Sequence, residues 1–256
     1  MKPIRSASHP ATNDKIFRLI TDQGLKGKKI LDMGAGRGHM AQKLGTHACG
    51  MDINPAEVLH ACDMFPEFFE YPDIHCDKVS FTNSLPYHDN KFDIVYSIEV
   101  LEHLHSPYTF IAELFRVIKP GGMVIISVPN VLNLASRVSY LLHGFFDLFE
   151  PLSFRDEDAG RLCGHIMPLG FFYISHGMRK AGFEEVRFES DRLKKSSLAL
   201  YFALYPFLKY SISRFISTIK SKNSYLYEVN KTELGMINSK KACCSRSCIL
   251  VGEKPF

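Results

Sequence analysis

Lys29-Ile30-Leu31-Asp32-Met33-Gly34-Ala35-Gly36-Arg37-Gly38 is the stretch on which the fold of this chain turns. Its first half is a short apolar run of strand type. Its second half is a turn with glycine at every other place, where the backbone can take positive φ and pass close under a ligand. His39 to Leu44 continues as a helix with Gly45 as its stop. Cys49-Gly50-Met51-Asp52-Ile53 is expected as a second strand, ended by Asn54-Pro55. Strand, glycine-rich loop, helix and strand open a parallel α/β sheet.

The same alternation extends outward from that stretch. On the N-terminal side, Ile16, Phe17 and Ile20 give one helix an apolar face, with Thr12 or Asn13 as its cap and Gly24 beyond its end. On the C-terminal side a third strand falls within Ile74 to Phe81, and Phe92-Asp93-Ile94-Val95-Tyr96-Ser97 reads as a buried fourth. Ser106-Pro107 starts a helix whose face is Phe110, Ile111, Leu114, Val117 and Ile118, and Pro120-Gly121-Gly122 ends it. Met123 to Val128, Phe183 to Glu189 and Cys248 to Val251 are further strands, with a helix from Ile174 to Ala181 closed by Gly182. The last strand is reached without a packed helix before it, which predicts antiparallel pairing at one edge. The whole, residues 1–256, reads as one α/β domain with insertions at about 131–170 and 191–246.

Composition narrows the classes. Hydrophobic residues make up 46% and charged residues 23%, as in ordinary globular proteins. The net charge of +4, without a dense Lys/Arg block, does not point to nucleic acid and is compatible with a weak attraction to anionic membranes. The seven cysteines (Cys49, Cys62, Cys76, Cys163, Cys243, Cys244 and Cys248) are scattered and fit no zinc spacing, so they read as free thiols in a reducing cytoplasm. No secretory leader and no membrane span is expected, and no metal site is assigned.

In open α/β sheets, ligands bind at the carboxyl ends of the strands. Asp52, ending the expected second strand, is placed to accept both hydroxyls of a ribose. These features alone do not separate one nucleoside cofactor from another, although the dinucleotide fingerprint would want its third glycine one place later. The joint pattern is more specific. Ile30 to Gly38, Met51-Asp52-Ile53-Asn54-Pro55, Ser84 to Val95, Val100-Leu101-Glu102-His103-Leu104 and Leu114 to Gly122 resemble, in order, the motifs of class I S-adenosylmethionine-dependent methyltransferases. The resemblance covers roughly residues 28 to 190 and the last strand. It implies a Rossmann-like fold with a seven-stranded, mostly parallel sheet, an antiparallel edge strand and helices on both faces. It also implies S-adenosylmethionine as cofactor. Asp32 would then sit near the methionine end, Gly34, Ala35 and Gly36 would line the loop, Asp52 would hold the ribose and Ile53 would pack on the adenine. Asp77 would approach the adenine amine, with Asn83 as the alternative, and Glu99 would face the cofactor.

An oxygen or nitrogen acceptor that must lose a proton benefits from a base, and histidine suits neutral pH. His103 and His105 follow the fourth strand. His165 matches a histidine near the acceptor pocket in related methyltransferases. The catalytic candidates are therefore His103 and His165, each with a plain structural role as the alternative.

Val131 to Glu150 is expected to roof the acceptor pocket, or else to form a simple core helix. Within 191–246, Leu198 to Phe207 is nearly all apolar, broken by Pro206, with Lys194, Lys195, Lys220 and Lys222 flanking the longer basic stretch. It suits a segment lying on a membrane or packed on the domain. Gly164-His165-Ile166-Met167-Pro168-Leu169 and Val128 to Leu134 resemble methyltransferases of cell-surface polysaccharide and lipid-linked glycan assembly and, more distantly, the ubiquinone-pathway O-methyltransferases. The expected acceptor is a small or lipid-linked hydroxyl compound, methylated in the cytoplasm or at the inner face of the membrane. The alternatives are a soluble small-molecule N-methyltransferase, a catalytically silent S-adenosylmethionine-binding partner protein and, less well matched, a nicotinamide-dependent oxidoreductase.

Overall fold

A computed structural model describes residues 3–81, 83–152 and 164–256. Its central sheet has seven strands in the order β3-β2-β1-β4-β5-β7-β6. They are β1 (Ile30–Met33), β2 (Leu59–Asp63), β3 (Cys76–Lys78), β4 (Phe92–Ile98), β5 (Ile118–Pro129), β6 (Glu184–Ser190) and β7 (Ser247–Glu253). The β1–β5 pairings are parallel, and β7 lies antiparallel to both β5 and β6. This is the Rossmann-like methyltransferase architecture expected from the motifs.

Period-two alternation divides the strands between two apolar layers. From β5 and β7, Met123, Ile125, Ile249 and Val251 enter the layer with Ile16, Ile20, Ala41 and Leu44, from α1 (Pro10–Thr21) and α2 (His39–Cys49). Val124, Ile126, Cys248 and Leu250 enter the opposite layer. There they meet Phe110, Ile111 and Leu114 of α4 (Pro107–Val117) and Ile174 and Met178 of α6 (Phe171–Ala181). Each such side chain, taken fully out of water, contributes about 1.5–3 kcal/mol. Between α2 and β2 lies the short α3 (Pro55–Val58).

Several local expectations are corrected. Cys49 to Ile53 is not a strand: α2 runs on to Cys49, Met51 and Asp52 form a turn, and Asp52 takes φ +57. The second strand begins at Leu59, which registers with Ile30. Gly45 does not stop α2 but lies within it. A Cβ there would meet the Tyr71 hydroxyl at 2.1 Å, so the glycine makes room for a ring, where the sequence suggested a helix end. His9, not Thr12 or Asn13, caps α1 by accepting the Ala11 N–H at 3.1 Å. Ile118 and the Pro-Gly-Gly that follows it belong to β5, and Gly121 there takes φ +73.

The first insertion supplies α5 (Leu134–His143), capped by Asn133; only Leu134 and Ser136 of this helix are buried. Its later part, residues 153–163 with Cys163, lies outside the described residues. The second insertion forms α7 (Lys195–Lys222), α8 (Ser224–Met236) and α9 (Lys240–Cys244). Pro206 does not break α7, which continues through it for 28 residues. Leu134 of α5, Tyr201 and Leu208 of α7, and Cys243 and Cys244 of α9 make a third, smaller apolar cluster. Among the described residues no helix is long and apolar enough to cross a membrane. The six described cysteines are free thiols.

Candidate active site

The chain reverses direction across the sheet between β1 and β4, and a cavity of about 1560 Å³ opens at the carboxyl ends of β1, β2 and β4. A parallel sheet places ligands at such a switch point. Asp32, Gly34, Ala35, Gly36, Asp63, Glu99, His103 and His165 all line this cavity.

The glycine loop is stapled to the tip of β2. Gly34 and Ala35 donate their N–H groups to the Cys62 carbonyl at 2.9 and 3.2 Å. Gly36 donates to Asp63 Oδ2 at 2.8 Å, and Phe65 donates to Asp63 Oδ1 at 2.9 Å. Each carboxylate oxygen keeps a lone pair for a further donor. Gly34 must be glycine: its φ is +82, and a Cβ would stand 2.4 Å from Val100 Cγ2. Gly36, at φ +52, has nothing within 4 Å of such a Cβ, so the loop presents a bare floor to the cavity.

Asp32 is buried, and its Oδ2 has no partner. Burial pushes its carboxyl up to about 7, and the neighbouring Asp63 charge adds to the rise. Glu99 stands just past β4 at φ +55, with its backbone N–H held by the Ser127 carbonyl at 3.0 Å. Burial also pushes Glu99 up to about 7, with the Arg246 guanidinium pulling the other way.

Beyond Glu99 lies a second titratable group. Glu102 is buried with both oxygens unpartnered. Burial, with the Glu99 charge adding to it, raises its pKa well above the usual carboxyl range. His165 Nε2 lies 3.9 Å from Glu102 Oε1. The His103 and His165 rings pack edge to face with centroids 5.0 Å apart, and Phe149 packs on the other side of His165 at 5.1 Å. Burial lowers the pKa of both histidines, and His103 lowers that of His165 further. His103 Nδ1 lies 3.0 Å from the Gly164 carbonyl oxygen. A carbonyl only accepts, so neutral His103 carries its proton on Nδ1 and keeps a lone pair on Nε2. Glu102, His103 and His165 each bring one ligand atom within 4.8 Å of the others, a spacing that a cation also fits.

Four expected positions fall elsewhere. Asp52 is exposed in its turn, while Ile53 packs on the apolar layer beneath. Asp77 is tied up at β3, where Tyr87 donates to its Oδ2 at 2.7 Å and His75 Nε2 approaches Oδ1 at 3.5 Å. Neither Asp52, Ile53, Asp77 nor Asn83 lines the cavity. The carboxylate at the end of β2 is Asp63, followed by Met64, and both line the cavity. Their signal in the sequence is Val58-Leu59-His60-Ala61-Cys62-Asp63, an apolar run ending in an acid, passed over in favour of the nearer Met51-Asp52-Ile53. Glu102 and Arg246 were also missed, because neither burial nor cross-chain proximity shows in a linear reading.

The family model described as "Methyltransferase domain" matches residues 9–187. The chain belongs to this methyltransferase family. The methyl donor is S-adenosylmethionine. The ubiquinone biosynthesis O-methyltransferase of Maricaulis maris is 30% identical over 135 residues, 50% of this chain and 51% of that protein. Phosphoethanolamine N-methyltransferase 1 of Zea mays is 32% identical over 111 residues, 40% of this chain and 20% of that protein. The chain thus spans about half or less of the length of these curated relatives. Among solved structures, a SAM-dependent methyltransferase from Archaeoglobus fulgidus superposes with a TM-score of 0.56 at 14% identity, covering 96% of this chain and 95% of that one.

Proposed function

We propose that this protein methylates a hydroxyl group of a small or lipid-linked, glycan-like acceptor. The observation that carries the reading is one continuous cavity. It joins the glycine loop and two strand-end carboxylates to a histidine with a free ring nitrogen.

The residues at the loop end fit the donor. Asp32, buried with its Oδ2 unpaired and only the Tyr96 hydroxyl working against the cost of burial, suits its ammonium group, because a cation would offset that cost. Asp63 has lone pairs for the ribose hydroxyls, and Met64 offers an apolar wall for adenine, the two roles the sequence pattern laid on Asp52 and Ile53. The donor supplies an activated methyl group on a sulfonium centre. Gly34, Ala35 and Gly36, which line the cavity, would help hold and orient it, and alignment with exclusion of water accounts for most of the acceleration in such a transfer.

At the other end, His103 Nε2 would take the proton from the acceptor hydroxyl as the oxygen–methyl bond forms and the methyl–sulfur bond breaks, its electron pair staying on the departing neutral thioether. The Gly164 carbonyl holds the tautomer that makes this possible. His165, backed by Glu102 and Phe149, keeps the His103 ring in place. The protein would work in the cytoplasm at the inner face of the membrane. One observation favours a second reading: Glu99 on the cavity wall would pair with an amine, which suits small-molecule N-methylation.

The test is methyl transfer from labelled S-adenosylmethionine to matched hydroxyl and amine acceptors, including lipid-linked sugars, with the products resolved by mass. O-methylated product that falls sharply in His103→Gln supports the proposal. Methylated amines alone, with His103→Gln fully active, would establish the second reading. Binding of S-adenosylhomocysteine with no methyl transfer to any acceptor would favour a catalytically silent partner protein.

A further inference from the structure

Helix α7 has two apolar faces, and the fold covers only one of them. Ser197, Tyr201 and Leu208 are buried against Leu134, Cys243 and Cys244. Ala199, Phe202, Ala203, Pro206, Phe207 and Tyr210 recur at the spacing that lines up one side of a helix, and all six are exposed. Phe202, Phe207 and Tyr210 are 63%, 67% and 66% exposed, an uncommon state for aromatic side chains on a structured helix.

The charges on α7 are one-sided. It carries Lys195, Lys209, Arg214, Lys220 and Lys222 and no aspartate or glutamate, which accounts for the chain's positive excess. Among the described residues, none of these five cations pairs with a carboxylate. Lys240 of α9 stands over the Phe202 ring at 5.6 Å from its centroid. Aromatic side chains on one stripe with cations beside it are the features of a helix that lies in a membrane interface rather than across it.

The neighbouring α5 packs on the covered side of α7. It is joined to α7 by the Ala135 N–H, which donates to Ser197 Oγ at 3.2 Å, and Lys194 pairs with Asp147 at 2.5 Å just before α7 begins. The end of α5 exposes Leu141 and Leu142, and Leu148 beyond it lines the active-site cavity. A second copy of this chain is a poor occupant for the stripe. A two-fold contact through it would bring together two helices that each carry five cations, with no acid on either α7 to answer them.

We infer that the Ala199–Tyr210 stripe of α7 docks the protein on a bilayer surface bearing anionic headgroups, with the aromatics in the interface and the lysines and Arg214 at the phosphates. This rests, for the acceptor's chemistry, on the proposal that the acceptor is an amphiphile, and it names the surface through which the enzyme would meet it. Docking of this type weakens with salt, because the charge attraction is screened.

The experiment is flotation of the full chain with vesicles of phosphatidylcholine alone or with phosphatidylglycerol added. It is run beside light scattering and S-adenosylhomocysteine calorimetry on the same preparations. Wild-type protein should float with the anionic vesicles and be released by salt. Phe202→Ser/Phe207→Ser/Tyr210→Ser and Lys209→Glu/Arg214→Glu should each lower partitioning at least tenfold while keeping donor-site affinity. Absence of wild-type flotation, flotation equal in wild type and variants, or a wild-type dimer that the aromatic variant converts to monomer without any vesicle binding would overturn the inference. Intact calorimetry in those cases would leave the methyltransferase reading standing.

Discussion

Asp63 Oδ2 accepts the Gly36 N–H at 2.8 Å, tying the end of β2 to the loop that follows β1. This bond sets the position of the carboxylate assigned to the ribose and, at the same time, the shape of the floor beneath it. Asp63→Ala should weaken S-adenosylhomocysteine binding by about 2–4 kcal/mol, since it removes charge-assisted hydrogen bonds and loosens the loop. Asp52→Ala, at an exposed turn, should leave the affinity unchanged. Calorimetry on the pair decides between the two acids, and the reverse ranking would return the ribose to Asp52.

Asp32 is held up to about 7 by burial while its Oδ2 has no partner. An ammonium group placed there pulls that pKa back down, so binding near pH 6 to 7 should release a proton from Asp32. Calorimetry in buffers of different ionisation enthalpy measures the release directly. Asp32→Asn should abolish it and weaken binding. Wild-type binding with no proton release in this range would mean that the ammonium group goes elsewhere.

Two glycines of one loop should respond differently to alanine. Gly34→Ala meets both a left-handed backbone and Val100 Cγ2 at 2.4 Å, so it should cost several kcal/mol in stability or displace Val100 into the cavity. Gly36→Ala faces open space and should cost only the backbone penalty, about 1 kcal/mol. Thermal unfolding with and without S-adenosylhomocysteine separates the two effects.

Both histidines have pKa values lowered by burial, so the acidic limb of the rate profile should lie below the ordinary histidine value of 6.5. His103→Gln should lower kcat by about 10²–10⁴-fold with donor affinity kept. His165→Gln should have a smaller effect on kcat, because it disturbs the ring beside the base. The ratio of the two losses, measured at saturating donor, tests the assignment of His103 as base.

Glu102 is raised far above its unfolded value of 4.5, so the folded chain holds a proton that the unfolded chain has lost. Folding then takes up a proton, and the contribution of this group to stability falls as pH rises from that value. Glu102→Gln should remove this loss, so its stability relative to wild type should grow as pH rises above 4.5 in denaturant titrations. Parallel pH curves for the two proteins would mean that Glu102 is ionised and paired in solution.

The regular elements were legible because their signals are local. Ile30 to Met33 and Phe92 to Ser97 are short apolar runs, Phe110 to Val117 keeps helical spacing, and Gly182 stops a helix at φ +110. The antiparallel pairing of the last strand was also expected, but its premise is corrected: α7, α8 and α9 lie between β6 and β7, and β7 sits inside the sheet with β6 at the edge. The errors share a different cause. Gly45 and Pro206 carry strong stop signals, yet a ring packed on one and a long packed helix around the other override them.

By itself, then, the sequence determined the sheet class, the glycine loop, Asp32 and the histidines beyond β4, because residues close in the chain must obey the same local geometry. The tertiary structure alone decided which acid ends β2, since that depends on where α2 stops and on Ile30 registering with Leu59 rather than with an earlier residue. It alone brought Glu102 and His165 together across 63 residues of chain, and left one side of α7 bare. Burial and long-range contact depend on which surfaces meet in the folded state, and no stretch of sequence carries that information alone.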